Sequence, residues 1–277
     1  MRPLAEGIYS RVRSAPEKYK KYARHLGSMQ RLYGYAYHVG VVEKYAKGAE
    51  KVVDWGGQYG HVTLMLKEFF GGAVECYLVD CGETEKYWHQ VFGGVKIHVP
   101  PPHTPIGKLD YDDATVDVVI SSGVLEHTYE YGVLDIEALR EIYRILKPGG
   151  KLFIWNLPAK NGMPELINKV IGRWYHICRY EQDNLLCLLQ AAGFNALVLD
   201  KHEILFPVMR SVMMRILGYW PGFSLEYWLS KVPILSMFSQ HFTIVCEKVD
   251  GFNFSLPYNG AISDHQGFGR SVVRDVS

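Results

Sequence analysis

No two cysteines in this 277-residue sequence are spaced as C-x-x-C. The five present, Cys76, Cys81, Cys178, Cys187 and Cys246, are odd in number and scattered. This excludes a zinc knuckle or a redox dithiol and reads as a set of reduced intracellular thiols. Neither charge dominates: 30 Lys+Arg face 29 Asp+Glu, so nothing draws the whole molecule toward nucleic acid. No apolar run is long enough for a transmembrane segment; the longest uncharged stretch, 184–199, holds Asn184, Gln190 and Asn195 and breaks at Gly193. The start, MRPLAEGIYSRVR, lacks the apolar core of a signal peptide, and Glu6 and Glu17 argue against a transit peptide. Internal repeats and low-complexity tracts are also missing. These absences leave a cytoplasmic enzyme as the expectation.

What is present is apolar side chain. At 48% hydrophobic residues the chain is no disordered tail, and its length suits one large α/β domain or two smaller ones. The balanced charge is uneven in place: residues 1–31 hold eight Lys/Arg against two Asp/Glu. Two readings stand, a solvated helical face or an arm meeting an anionic substrate or a membrane surface, so peripheral membrane contact stays open.

Apolar residues at threes and fours from Leu26 to Tyr45 predict an N-terminal helical region over 1–48. After Gly48 the rhythm changes. Short β-rich runs at 51–54, 74–79, 95–99, 116–121, 151–156, 196–201 and 242–248 alternate with helix candidates at 61–70, 134–146, 165–171 and 181–192. Such alternation predicts an α/β, doubly wound, Rossmann-like sheet with helices on both faces, here over 49–248. Folds of this kind bind ligands at the carboxyl ends of their strands. Residues 202–240, rich in Met, Trp, Tyr and Leu, are too long for a loop and read as an inserted helical cap. The Gly- and Ser-rich 249–277 reads as a flexible tail.

The most informative stretch is KVVDWGGQYGHVT, residues 51–63. A buried strand ends in Asp54, and Gly56, Gly57 and Gly60 lead into a helix. Glycines there let the chain turn tightly and let a ligand approach the backbone. Twenty residues after Gly60 the next strand ends in Asp80, an acid placed to take both ribose hydroxyls. A dinucleotide would bring its pyrophosphate onto Asp54, which is repulsive. S-adenosylmethionine carries a sulfonium and an ammonium instead, so the sign of the charge favours the methyl donor.

From here the chain resembles the class I S-adenosylmethionine-dependent methyltransferases over roughly 48–248. VVDWGGQYG resembles the D-x-G-x-G-x-G loop, YLVDC the acid ending the second strand, and LDYDDATVDVVISSGVLEHT the block around the fourth. LREIYRILKPGGKLFI and YEQDNLLCLLQAAGF match the blocks into the fifth strand and before the sixth. The resemblance implies a seven-stranded sheet with its last strand antiparallel, S-adenosylmethionine as cofactor, and cofactor contacts from Asp54, Gly56, Gly57, Gly60, Asp80 and Ser122. Two positions depart from it: Gln58 stands where the middle glycine falls, and Pro105 where many relatives carry an acid near the adenine.

Single residues admit more than one role. Asp54 either caps the following helix or touches the ligand, and Asp80 either forms a turn or binds ribose. His127, next to Glu126 after the fourth strand, either takes the acceptor's proton as catalytic base or packs at a helix start. His176 and Tyr180 either share a helix face or flank the next helix, lining the acceptor pocket or packing locally. Gly149 and Gly150 after Pro148 predict a turn into a strand. No metal site is expected: His98 and His103 flank a proline run with no carboxylate or thiol at ligand spacing. The amphipathic 202–240 segment is a packed cap, an apolar acceptor site or a membrane-facing surface.

The function expected is a methyltransferase for a small-molecule acceptor, on a hydroxyl of a sugar, glycan intermediate or natural product. Carbon methylation of a prenylated quinone or lipid-like acceptor comes second, and a non-catalytic binding module with this fold third. Nucleic acid is not an expected partner.

Overall fold

Residues 2–14, 28–57, 61–70, 74–77, 96–98, 107–172 and 176–254 are described by the computed structural model. The chain opens with helices α1 (Arg2–Ser14) and α2 (Met29–Tyr45). Strand β1 (Val52–Trp55), helix α3 (His61–Phe70) and strands β2 (Val74–Tyr77), β3 (Lys96–His98) and β4 (Val116–Ser122) follow. A 3-10 helix (Leu125–Tyr131) leads into α4 (Asp135–Ile145), β5 (Leu146–Pro158), α5 (Met163–Val170), α6 (Gln182–Ala191) and β6 (Phe194–His202). Helices α7 (Pro207–Leu217), α8 (Tyr219–Leu229) and the one-turn α9 (Pro233–Ser236) precede β7 (His241–Lys248).

The strands form one sheet of seven in the order β3-β2-β1-β4-β5-β7-β6. β1 pairs parallel with β2 and β4, whereas β7 runs antiparallel to β5 and β6. Chain order reverses between β1 and β4, and the cleft at their carboxyl ends is where such a sheet holds ligands. The Val/Ile-rich runs Val52–Val53 and Val118–Ile120 are buried because helices cover both faces, which makes alternation unnecessary.

One face is covered by α1, α2 and α3. Ala5, Ile8, Leu32, Ala36 and Val39 share a core with Leu64, Met65, Val118, Ile120 and Phe153. The N-terminal helices are thus a layer of the sheet domain rather than an appendage. The other face is covered by α4 and α6, through Leu139, Ile142, Leu185, Leu188 and Leu189 against Val119, Leu152 and Ile154. The expected turn at Gly149–Gly150 is a bulge instead: Val116 pairs with Leu146 and Val118 with Lys151, so Lys147–Gly150 loop out within a continuous strand. Gly149 has φ +69° there, and a Cβ on Gly150 would meet the Lys147 carbonyl at 2.8 Å.

Helices α7, α8 and α9 lie between β6 and β7, and α8 packs on α2. Tyr33 meets Trp220 edge to face at 5.2 Å, and the Tyr37 hydroxyl bonds to that of Tyr227. Inside, Arg210 pairs with Glu226 at 2.7 Å, both buried. The outer side of these helices leaves Val208, Met209, Ile216, Trp228 and Ile234 exposed. Of the tail, Phe252 and Phe254 pack on Tyr143, whose hydroxyl donates to the Val249 carbonyl at 2.6 Å. Among the described residues no helix is long and apolar enough to cross a membrane.

Candidate active site

Asp54 stands in register with Ile120 of β4, and Trp55 with Ser121, so the ends of the two strands lie side by side. Gly56–Gly57 and Gly123, which follow the two strands, therefore leave the sheet at the same edge. Asp54 is 1% exposed, and its Oδ2 accepts the Thr63 backbone N–H at 3.0 Å and the Thr63 hydroxyl at 2.6 Å. Burial pushes its carboxyl up to about 7, although the Thr63 bonds pull the other way. The helix-capping role is thus realised through the first turn of α3. A cation beside this carboxyl favours its ionised form, so the same residue suits an ammonium or sulfonium ligand.

Gly56 has φ +70°, and a Cβ on it would lie 2.7 and 2.8 Å from the Val124 methyls. Backbone and packing thus both require glycine here, independent of any ligand. Gly57 is buried. Gly60 and Asp80 lie outside the described residues, as do Gln58 and Pro105.

On the β4 side Ser122 is half-buried and its Oγ accepts from Asn156 Nδ2 at 3.2 Å. Asn156 has φ 57°, a left-handed conformation that Asn tolerates better than most residues. Ser121 is buried, and its hydroxyl has no partner among the described residues. Gly123 turns with φ +67° and donates its N–H to the Trp155 carbonyl at 3.0 Å. Side chains at 56–57 and 121–123 are small, with Trp55 paired to Ser121 and Trp155 to Ser122 beside them.

The 3-10 helix follows directly and carries Glu126 and His127. Glu126 is 2% exposed, and its Oε2 has no hydrogen-bond partner among the described residues. Burial pushes its carboxyl up. His127 is one-third exposed and its Nδ1 lies 2.7 Å from Glu130 Oε1. A carboxylate only accepts, so Nδ1 carries the proton and Nε2 has the lone pair. The His176 ring lies 5.8 Å from that of His127. Glu165 holds His176 with both oxygens, accepting its backbone N–H at 2.8 Å and its Nδ1–H at 2.9 Å. Burial opposes ionisation of Glu165, yet the His176 bonds outweigh it and hold its carboxyl below the ordinary range.

His176 and Tyr180 flank the start of α6 rather than share a helix. Tyr180 is structural. Its buried hydroxyl donates to Asp135 Oδ2 at 2.7 Å, and Thr128 donates to Asp135 Oδ1 at 3.1 Å, tying the 3-10 helix to α4. His98 binds Asp110 at 3.1 Å, away from these groups, and His103 lies outside the described residues. Sequence reasoning passed over Asn156 and Glu165. Asn156 carried the same signal as Ser122, a polar residue ending a buried strand. Glu165 carried none, because nothing in its spacing pairs it with His176.

Residues 53–154 match the methyltransferase domain family. Among solved structures, a SAM-dependent methyltransferase from Archaeoglobus fulgidus is 17% identical, with 84% of this chain and 100% of that one covered at a TM-score of 0.54. A methyltransferase in complex with the Haloferax volcanii Trm112 methyltransferase activator is 18% identical, covering 84% and 96%, also at 0.54. A geranyl diphosphate C-methyltransferase from Streptomyces coelicolor A3(2) is 14% identical, covering 85% and 86% at 0.51. At these identities the likeness is one of fold. No curated protein matches the chain in sequence.

Proposed function

We propose that this class I S-adenosylmethionine-dependent methyltransferase methylates a hydroxyl oxygen of a small-molecule acceptor, of the sugar, glycan-intermediate or natural-product kind. The observation that carries the reading is the side-by-side placement of two sets of groups. Asp54, Gly56, Gly57 and Ser122 sit at the paired ends of β1 and β4, and Glu126 and His127 follow in the next turn.

The residues present fit the methyl donor. A buried carboxyl at the strand end suits its cationic groups, and the side chains at 56–57 and 121–123 are small. When bound, the donor supplies an electrophilic methyl carbon on a positively charged sulfur, which keeps the electron pair of the broken bond. Asp54 and the Gly56–Gly57 backbone would hold the amino-acid end and Ser122 would contact the donor, while the family resemblance gives Asp80, outside the described residues, the ribose. His127, oriented by Glu130, takes the acceptor's proton through Nε2. Much of the acceleration in such a transfer comes from alignment, which the rigid β4 end provides.

Carbon methylation of an apolar acceptor is the second reading. It is favoured by the large apolar side chains exposed over α7 and α8. Transfer of an isotopically labelled methyl group to a panel of acceptors, with NMR of the product, separates the two. A methyl group found on carbon sinks the oxygen reading.

A further inference from the structure

Glu126, His127 and His176 each offer one ligand atom, and these atoms all lie within 4.8 Å of one another. We propose that the three residues form a binding site for one divalent cation of the zinc class, open toward the acceptor. Two imidazoles and one carboxylate are the ligand set of catalytic zinc sites, which leave a further position to water or substrate.

Three independent observations converge on this. First, each histidine gives its Nδ1 to a carboxylate, His127 to Glu130 at 2.7 Å and His176 to Glu165 at 2.9 Å. This is the outer-sphere arrangement of metal-bound histidine, and it assigns Nε2 of each ring to the cation. Second, Glu126 Oε2 is buried without a hydrogen-bond partner among the described residues, an arrangement that is unfavourable unless something occupies the gap. Third, Glu126, Glu130 and Glu165 gather here, and among the described residues none forms an ion pair with Lys or Arg. A divalent cation supplies the missing positive charge.

A second trio, His202, Glu203 and His241, is as close-set but fits less well. Arg210 already lies 3.3 Å from Glu203 and contests that place.

The cation site stands on geometry alone; its use rests on the oxygen-methylation reading. Without the cation His127 Nε2 is free to take the acceptor's proton as proposed above; with the cation held the same nitrogen is its ligand, and the proton leaves by another route. The acceptor hydroxyl takes the open position, where its pKa falls and its proton leaves to water. The oxygen keeps the pair that makes the new bond to carbon, and nothing is oxidised or reduced.

The test uses untagged, full-length protein dialysed against chelator. Zn2+ is titrated by calorimetry, and Co2+ is added as a visible-absorbing substitute. We expect one tight equivalent, with affinity lowered at least tenfold in Glu126→Gln and His176→Ala, and about 10–100-fold in Glu165→Gln. His202→Ala should bind as wild type does. Glu126→Gln is nearly isosteric and decides the matter if His176→Ala does not fold. Absence of a one-to-one site, binding that survives Glu126→Gln, or binding lost in His202→Ala overturns the proposal. S-adenosylmethionine binding is measured on the same samples. If it persists without the cation site, only this inference fails; if it is absent while the cation binds, the methyltransferase reading fails instead.

Discussion

Thr63 donates both its backbone N–H and its hydroxyl to one oxygen of Asp54, at 3.0 and 2.6 Å, across the turn from β1 to α3. One buried carboxyl thereby ties the end of β1 to the first turn of α3. Its carboxyl sits at about 7 against an ordinary 3.8, so between those values the folded state holds more protons than the unfolded chain. Stability of the ligand-free protein should therefore fall as pH rises from about 4 to 7 and level off above. The shift bounds the effect at on the order of 4 kcal/mol. Asp54→Asn should flatten this window in thermal melts while abolishing S-adenosylmethionine binding. An unchanged pH profile in the variant contradicts the assignment.

Gly56→Ala meets two obstacles, a φ of +70° and the Val124 methyls at 2.7 and 2.8 Å. We expect a loss of about 2–4 kcal/mol in chemical denaturation. Adding Val124→Ala should recover the steric part and leave the backbone part. Strictly additive losses in the double variant would show that the two residues do not press on each other.

Tyr180→Phe removes the buried donor to Asp135 Oδ2. The expected loss is about 1–3 kcal/mol of stability with S-adenosylmethionine affinity intact. A selective loss of acceptor binding without any loss of stability would return Tyr180 to the acceptor pocket.

His127→Asn should lower kcat about 10²- to 10⁴-fold with little change in donor affinity. Glu130→Gln, which removes the carboxylate at 2.7 Å from Nδ1, should fall in the same direction by less. Equal activity in His127→Asn and wild type would assign that histidine to packing.

The strands were legible because fully buried parallel strands must be runs of Val and Ile, and 52–53 and 118–120 are such runs. Helix α3 fell on 61–70 residue for residue, since its start is marked by the glycine loop. The bulge at Lys147–Gly150 was not, because Pro-Gly-Gly reads as a turn whether or not the strand resumes its pairing on both sides. That Asp54, Gly56, Gly57 and Ser122 lie at the paired ends of β1 and β4 could be read from the strand pattern alone. The Glu165–His176 pair could not: it spans eleven residues and arises only when α5 is laid beside the segment that follows it. The same limit hid the trio Glu126, His127 and His176, which no ligand spacing announces.

Binding of the methyl donor where β1 and β4 end is measured by calorimetric titration of S-adenosylmethionine, and separately of its demethylated product, into wild type and Asp80→Ala. We expect micromolar binding of both by wild type, weakened at least tenfold in Asp80→Ala. No binding by folded wild type would contradict it and would point to Gln58 and Pro105 as the residues that close the site.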